Sequence, residues 1–262
     1  MTIKPIYDTR ALSIELETER ILVVADLHLG IESQLADSGI GLPSQIPKVK
    51  KRLLDLIRKQ KSDRLIFLGD VKHNVPVTSW SEWRDLPDFF DELNKFVRVE
   101  ILPGNHDGGI KGLIRENVLI HDAKGIMVGE DRKIGLMHGH TWPNPELLKT
   151  DLIVTGHNHP IVEFKDRLGI RMTEPVWLRC KVEPSKFPKK LRETIEGEGP
   201  QVLVMPAFSE LIGGAAVNRT VPEELLGPMF KAGAVRFEEA EVSLLDGTFL
   251  GTIASLRKFA GE

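Results

Sequence analysis

A single cysteine, Cys180, stands in 262 residues. A lone thiol excludes an internal disulfide framework and suits a reducing compartment, so a cytoplasmic location is the expectation. Long apolar runs are missing too. The longest, such as Ile21–Ala25 and Gln201–Phe208, fall far short of the roughly 20 residues that a membrane helix needs. Met1–Glu19 alternates polar and apolar residues and lacks the unbroken apolar core of a secretory signal. There is no basic excess either: the formal net charge is −3 and the pI about 6.3. That excludes a general nucleic-acid coat protein, and any affinity for phosphate has to be local. Internal repeats and low-complexity tracts are absent.

What is present is a composition of 41% apolar and 28% charged residues, typical of a globular chain able to bury a sizeable core. Length alone allows one domain or two. Apolar runs rich in Val, Ile and Leu recur at Ile21–Ala25, Arg64–Leu68, Val97–Leu102, Ile134–Met137, Leu152–Thr155 and Val202–Met205, each read as a buried strand. Between them, Gln45–Gln60 and Trp83–Phe96 carry apolar residues at helical spacing. Alternation of this kind predicts an α/β architecture. After Pro160 the texture turns to strands and turns: Ile161–Lys165, Pro175–Val182, Val235–Leu245 and Thr248–Gly251, the last two around a turn at Asp246-Gly247. This half is expected to supply a second sheet. The stretch 183–200, rich in Lys, Glu, Pro and Gly, reads as an exposed excursion.

Seven of the eight histidines fall in five blocks: Asp26-Leu27-His28, Gly69-Asp70-Val71-Lys72-His73, Gly104-Asn105-His106-Asp107, His138-Gly139-His140 and Gly156-His157-Asn158-His159-Pro160. Every block follows an apolar run, and ligand groups converge where strands of an α/β sheet end. Imidazoles and carboxylates without thiolates suit Mn, Fe, Zn or related divalent ions. Asp26 and His28, like His157 and His159, are two residues apart, so in an extended chain each pair points to one side. The ligands are too many for one closed site. Two ions sharing a bridging carboxylate, with Asp70 the natural bridge, would use them all, and such a pair suits in-line displacement at phosphorus.

In this order the five blocks resemble the calcineurin-like metallophosphoesterase superfamily over roughly residues 21–160. The second block and the later segment 206–214, PAFSELIGG, are more specifically similar to the SbcD-related archaeal phosphoesterases and the ligase-associated PdeM nucleases. The resemblance implies a four-layer αββα sandwich of two mixed sheets flanked by helices, expected here as one domain over residues 1–262. It further implies that Asp26, His28, Asp70 and His159 hold a first metal and Asp70, Asn105, His138 and His157 a second. His106 would protonate the leaving oxygen or steady the phosphoryl group, with Asp107 setting its orientation. The spacing permits either His138 or His140 as the ligand; the resemblance points to His138. His73 and His140 depart from the commonest pattern and are read as substrate-lining or as supports of the ligands.

Each block has a plainer reading. A lone GNHD can be a turn capped by its Asn and Asp, but five blocks in order favour the metal site. His121 is treated as structural, and Lys72 as a solvated loop charge. The basic runs 48–52 and 186–192 are read as solvated faces before nucleic-acid tracks. Gly213-Gly214 lacks a Gly-Lys-Ser/Thr signature and is assigned to a tight turn or a close approach of chains.

The expected function is therefore phosphodiester hydrolysis with two divalent ions, Mn first by resemblance and Ni, Co, Zn or Fe also suitable. The expected substrate is nucleic acid, single-stranded DNA foremost. A phosphomonoesterase or nucleotide phosphatase is the alternative. A non-catalytic scaffold for a DNA repair or helicase partner is a third reading, against which the intact His106 argues.

Overall fold

The computed structural model describes residues 1–115, 117–130, 133–166, 168–221 and 224–260. Six strands form the first sheet in sequence order: β1 (Thr2–Pro5), β2 (Ala11–Glu15), β3 (Arg20–Ala25), β4 (Arg64–Leu68), β5 (Arg98–Leu102) and β6 (Leu119–Ile120). β1, β2 and β3 run antiparallel, and β3 to β6 run parallel. The crossovers are helical: α1 (Ile31–Asp37) and α2 (Ile46–Gln60) precede β4, and α3 (Trp80–Asn94) precedes β5.

Both faces of this sheet are buried, so its central strands read as continuous apolar runs. Leu22, Val24, Leu65, Phe67, Val99 and Ile101 pack against Val49, Leu53 and Ile57 of α2 and Leu86, Phe89, Phe90 and Leu93 of α3. The alternate residues Ile21, Val23, Ala25, Ile66, Leu68 and Leu102 face the other way, onto the second sheet.

The second sheet comprises β7 (Ile126–Val128), β8 (Ile134–Leu136), β9 (Leu152–Thr155), β10 (Pro160–Lys165), β11 (Arg171–Lys181), β12 (Gln201–Val204), β13 (Ala215–Ala216), β14 (Glu241–Leu244) and β15 (Phe249–Thr252). It begins well before Pro160, earlier than the sequence texture indicated. β8, β9 and β12 are parallel, and β11 pairs antiparallel with β10, β12 and β14. Its inner residues Leu136, Val154, Trp177 and Leu203 close the core between the sheets. Its outer residues Ile153, Val176, Leu178, Cys180 and Val202 are covered by the turn Pro145–Lys149, by α5 (Pro228–Lys231) and by Ile253 at the head of α6 (Ile253–Ala260). Three cores thus separate four layers, helix, sheet, sheet and helix. In the stretch 183–200, α4 (Lys189–Arg192) follows Phe187, which is buried against Trp142 at a ring separation of 5.6 Å. Among the described residues no helix is long and apolar enough to cross a membrane.

Candidate metal centre

The blocks Asp26–His28, Gly69–His73 and Gly104–Asp107 leave the C-terminal ends of the parallel strands β3, β4 and β5. The blocks His138–His140 and Gly156–Pro160 leave β8 and β9. Because the two sheets stack, five strand ends meet at one rim between them, not along the edge of one sheet. Three groups of side chains result, one of them the imidazoles of His28, His73 and His106 and the other two containing carboxylates. Asp26, His28, Asp70 and His159 offer ligand atoms within 4.8 Å of one another, and so do Asp70, His138 and His157, with Asp70 common to both. Asn105 joins the second group, its Oδ1 3.3 Å from His138 Nε2.

The pairs two residues apart do reach a common centre, but not as extended chain. Asp26, His28, Asp70, His157 and His159 have φ of 57°, 46°, 48°, 71° and 42°, all left-handed. Each strand turns sharply where it ends, and backbone hydrogen bonds hold the turns: His28 N–H donates to the Asp70 carbonyl at 2.8 Å and Asp26 N–H to that of Gly69 at 3.1 Å.

Carbonyls orient the imidazoles. His138 Nδ1–H donates to Leu68 O at 2.8 Å, leaving Nε2 3.4 Å from Asp70 Oδ2. His159 Nδ1–H donates to Gly213 O at 3.1 Å, leaving Nε2 3.3 Å from both Asp26 Oδ1 and His28 Nε2. Both Nε2 atoms are thus turned toward the carboxylates, as in metal-binding histidines whose other nitrogen is held by a carbonyl. His28 Nδ1 shares a hydrogen bond with His73 Nδ1 at 3.1 Å, and His73 Nε2 meets Gln34 Oε1. His140 stands 5.3 Å from His138 ring to ring, and its buried Nδ1 has no partner among the described residues. The grouping therefore turns on His138, and His140 is in none of the groups.

Burial and charge set the protonation states. His28 and His157 are pushed down to about 3, mainly by burial, and are neutral with lone pairs available at neutral pH. His138 is raised to about 9: burial opposes the charge, but the hydrogen bond to Asp70 and the nearby Asp26 outweigh it. Burial also opposes ionisation of Asp26 and Asp70, yet His159 and His138 hold both carboxyls below the ordinary range. The site is a concentration of buried carboxylate and imidazole, a donor set that fits divalent ions with N and O preference.

Asp107 corrects an expectation. Its carboxylate does not orient His106 but accepts from three backbone amides, Val71 at 2.9 Å, Lys72 at 3.2 Å and Gly104 at 2.8 Å, clamping the second and third blocks together. Burial raises its pKa to about 6, with the Gly104 amide pulling the other way. His106 is held instead by the His73 carbonyl, which accepts from Nδ1 at 2.6 Å, and its ring stacks on His73 at 5.5 Å. Lys72 is likewise no solvated charge: it is fully buried, with Nζ donating to the Asn74 carbonyl. The basic run 48–52 is largely neutralised, Lys48 and Arg52 by Glu210 at 2.6 and 2.9 Å and Lys50 by Glu92 at 2.6 Å. His121 binds Glu100 at 2.8 Å, away from the centre.

Sequence reasoning missed how the segment 206–214 supports the site. Phe208 N–H and Ser209 N–H donate to the carbonyls of Ala25 and Asp26 at 2.8 and 3.2 Å, extending β3 into the first block. Arg10 ties the segment down through the carbonyls of Ala207 and Ser209. Gly214 lies so close under His159 that a methyl group would overlap the His159 carbonyl. The glycine pair was the one visible signal.

The model of the calcineurin-like phosphoesterase family matches residues 19–174, more than half of the chain. Among solved structures, the nuclease MPE of Pseudomonas putida is 21% identical, aligned over 94% of this chain and 98% of its own, with a TM-score of 0.52. The phosphoesterase YfcE of E. coli is 16% identical over 88% of this chain and 96% of its own, with a TM-score of 0.41.

Proposed function

The chain belongs to the calcineurin-like phosphoesterase family, a metal-dependent hydrolase, and from that premise we propose that it cleaves phosphodiester bonds in nucleic acid, single-stranded DNA foremost. The observation that carries this reading is the pair of ligand groups meeting at Asp70. In it, Asp26, His28, Asp70 and His159 hold one divalent ion and Asp70, Asn105, His138 and His157 the other, Mn first among the candidates. Two such ions supply Lewis-acid activation of water and neutralise charge at phosphorus.

The chain's own residues do the rest. His106 is the catalytic histidine: with Nδ1–H fixed on the His73 carbonyl, Nε2 is the atom left to give a proton to the leaving oxygen or bind a phosphoryl oxygen. Asp107 positions both neighbouring blocks through their amides, and His73 braces His28 and His106 together. His140, its ring 5.3 Å from His138 and 6.1 Å from His157, borders the second group. Nucleic acid is favoured over small esters by the resemblance of the second block and of the segment 206–214 to ligase-associated nucleases. The Pseudomonas putida protein that shares the fold is itself a nuclease. The lone cysteine suits a cytoplasmic role, DNA repair or helicase partners fit the same resemblance, and residues 1–262 act as one domain.

The test is to strip the protein of metal, restore Mn and assay single-stranded DNA, duplex DNA, RNA, a chromogenic diester and a chromogenic monoester beside His106→Ala. Cleavage of polynucleotide or diester that disappears in the variant is the expected result. Hydrolysis confined to monoesters would make the protein a phosphatase, and inactivity with every metal would leave the scaffold.

A further inference from the structure

Beside this centre lies an apolar lip that phosphoester chemistry does not use. Val75, Val77, Trp80 and Trp83 are exposed, Trp80 by 80% and Trp83 by 51%. Tryptophan is ordinarily buried over most of its area. The other two follow that rule, Trp177 between the sheets and Trp142 against Phe187. Helix α3 does not need the exposed pair, since its N-terminus is closed by a reciprocal cap between Ser79 and Glu82.

Glu82 fixes where the lip sits. Its buried carboxylate accepts from His73 N–H at 3.1 Å, Asn74 N–H at 3.0 Å and Ser79 N–H at 2.6 Å. The amides of His73 and Ser79 are therefore at most about 8 Å apart, the span of two hydrogen bonds across one carboxylate. Trp80 is the next residue, so α3 begins close to the backbone of His73, whose ring stacks on His106. On the far side, Trp83 reaches the turn Ile110–Gly112 that follows the third block, where a methyl group on Gly112 would lie 3.6 Å from its Cη2. Lys111 in that turn is exposed. Two exposed indoles at the start of α3 and an exposed cation in the turn after the third block thus stand on the chain segments that flank the proposed reaction centre.

We propose that Trp80 and Trp83 form a stacking platform for unpaired nucleobases of the polynucleotide whose phosphodiester occupies the metal centre, with Lys111 facing its backbone. The inference rests on the phosphodiesterase reading and adds the feature that selects single strands. A base in a duplex has both faces covered by its neighbours, whereas an unpaired base offers a face to an indole whatever its sequence. Continuity with the centre, an aromatic surface and a cation for phosphate favour this occupant over a protein, which would leave Lys111 without a role.

Hydrolysis of an oligothymidylate is compared with that of a strand of equal length carrying abasic sites, for wild type, Trp80→Ala, Trp80→Phe and Trp83→Ala. One stacked base contributes about 5- to 150-fold. The wild type is expected to show a KM lower by that factor for the oligothymidylate, the alanine variants to lose most of the preference, and Trp80→Phe to keep much of it. Binding of the same two strands by metal-free protein, followed by quenching of tryptophan fluorescence, separates the two inferences. If no polynucleotide is cleaved, the phosphodiesterase reading falls, while quenching by the oligothymidylate alone still supports the platform. Equal quenching by both strands, or a preference unchanged in both alanine variants, overturns the platform even if the protein proves a nuclease.

Discussion

Metal binding should expel a proton from His138. Its Nδ1–H is committed to the Leu68 carbonyl, and Nε2 faces Asp70 Oδ2 at 3.4 Å and Asn105 Oδ1 at 3.3 Å. In the metal-free protein the two carboxylates hold a proton there up to about pH 9. A ligand must be deprotonated, so an ion entering the second group displaces that proton. At pH 7, about two units below the pKa, the competition amounts to about 3 kcal/mol, or roughly 100-fold in apparent affinity, recovered as the pH approaches 9. Calorimetric titration of Mn into metal-free protein, in buffers of different ionisation enthalpy at one pH, counts the protons. At least one should be released at pH 7, and the count should fall toward zero above pH 9. Stability gives a second readout. Because the folded pKa lies above the unfolded value of 6.5, this contribution is complete below pH 6.5 and is lost as the pH rises through about 9. The Tm of the metal-free protein should decline across that window and that of the metal-loaded protein should not. Two ions bound at pH 7 with no proton released would refute the assignment of His138.

Three further outcomes follow from the geometry. In Gly104→Ala the new methyl would overlap Asp70 Oδ1 and lie 2.5 Å from the Asp70 nitrogen, so the bridge must move and Mn affinity by calorimetry should collapse; retained affinity would deny Asp70 its shared position. Asp107→Ala strands the buried amides of Val71 and Lys72 and the half-buried amide of Gly104, and should cost about 3–5 kcal/mol in denaturant unfolding, a value under 1 kcal/mol meaning that the clamp is dispensable. Glu100 is buried and accepts from Arg64 and His121 at 2.8 Å, which hold its pKa down to about 2 against the effect of burial. Its stabilisation is therefore present above the unfolded pKa of 4.5 and lost as the pH falls through about 2. Glu100→Gln should cost about 3 kcal/mol at pH 7 and little at pH 2, and an equal cost at both would exclude the ion pair as its source.

Sequence was most legible where burial is two-sided. Arg64–Leu68 and Leu152–Thr155 are read to the residue because an apolar run ends at Gly69 and, one residue on, at Gly156. It was least legible where tertiary contacts decide. The strand expected over Val235–Leu245 shrinks to Glu241–Leu244, since Phe237 and Ala240 enter a turn buried beside Ile253. α3 starts at Trp80 and not Trp83, for which the Ser-x-x-Glu signature of Ser79 and Glu82 was the available signal. At the centre, imidazole and carboxylate announce themselves by residue type. The carbonyls of Leu68, His73 and Gly213 that aim them do not, because every residue has one. The burial of Lys72 was illegible for a related reason: the irregular connection 69–79 between β4 and α3 has no periodicity from which to read a face.

The backbone at the centre carries information of its own. Five of the seven non-glycine residues with left-handed φ among the described residues are Asp26, His28, Asp70, His157 and His159. Each such conformation costs about 1 kcal/mol or more for a residue with a Cβ, so the rim stores roughly 5 kcal/mol. Glycine at these positions would relieve the backbone, at the loss of the side chains. The strain therefore buys nothing for folding. What the left-handed turns provide is direction: a strand end that would carry alternate side chains to opposite faces turns them onto one point between two sheets. Concentrating two buried carboxylates and four imidazoles there is unfavourable by itself, and a bound cation offsets both the repulsion and the twist. Backbone strain, depressed carboxyl pKa values and the raised pKa of His138 are then three consequences of one cause, a rim shaped for charge that the polypeptide does not supply.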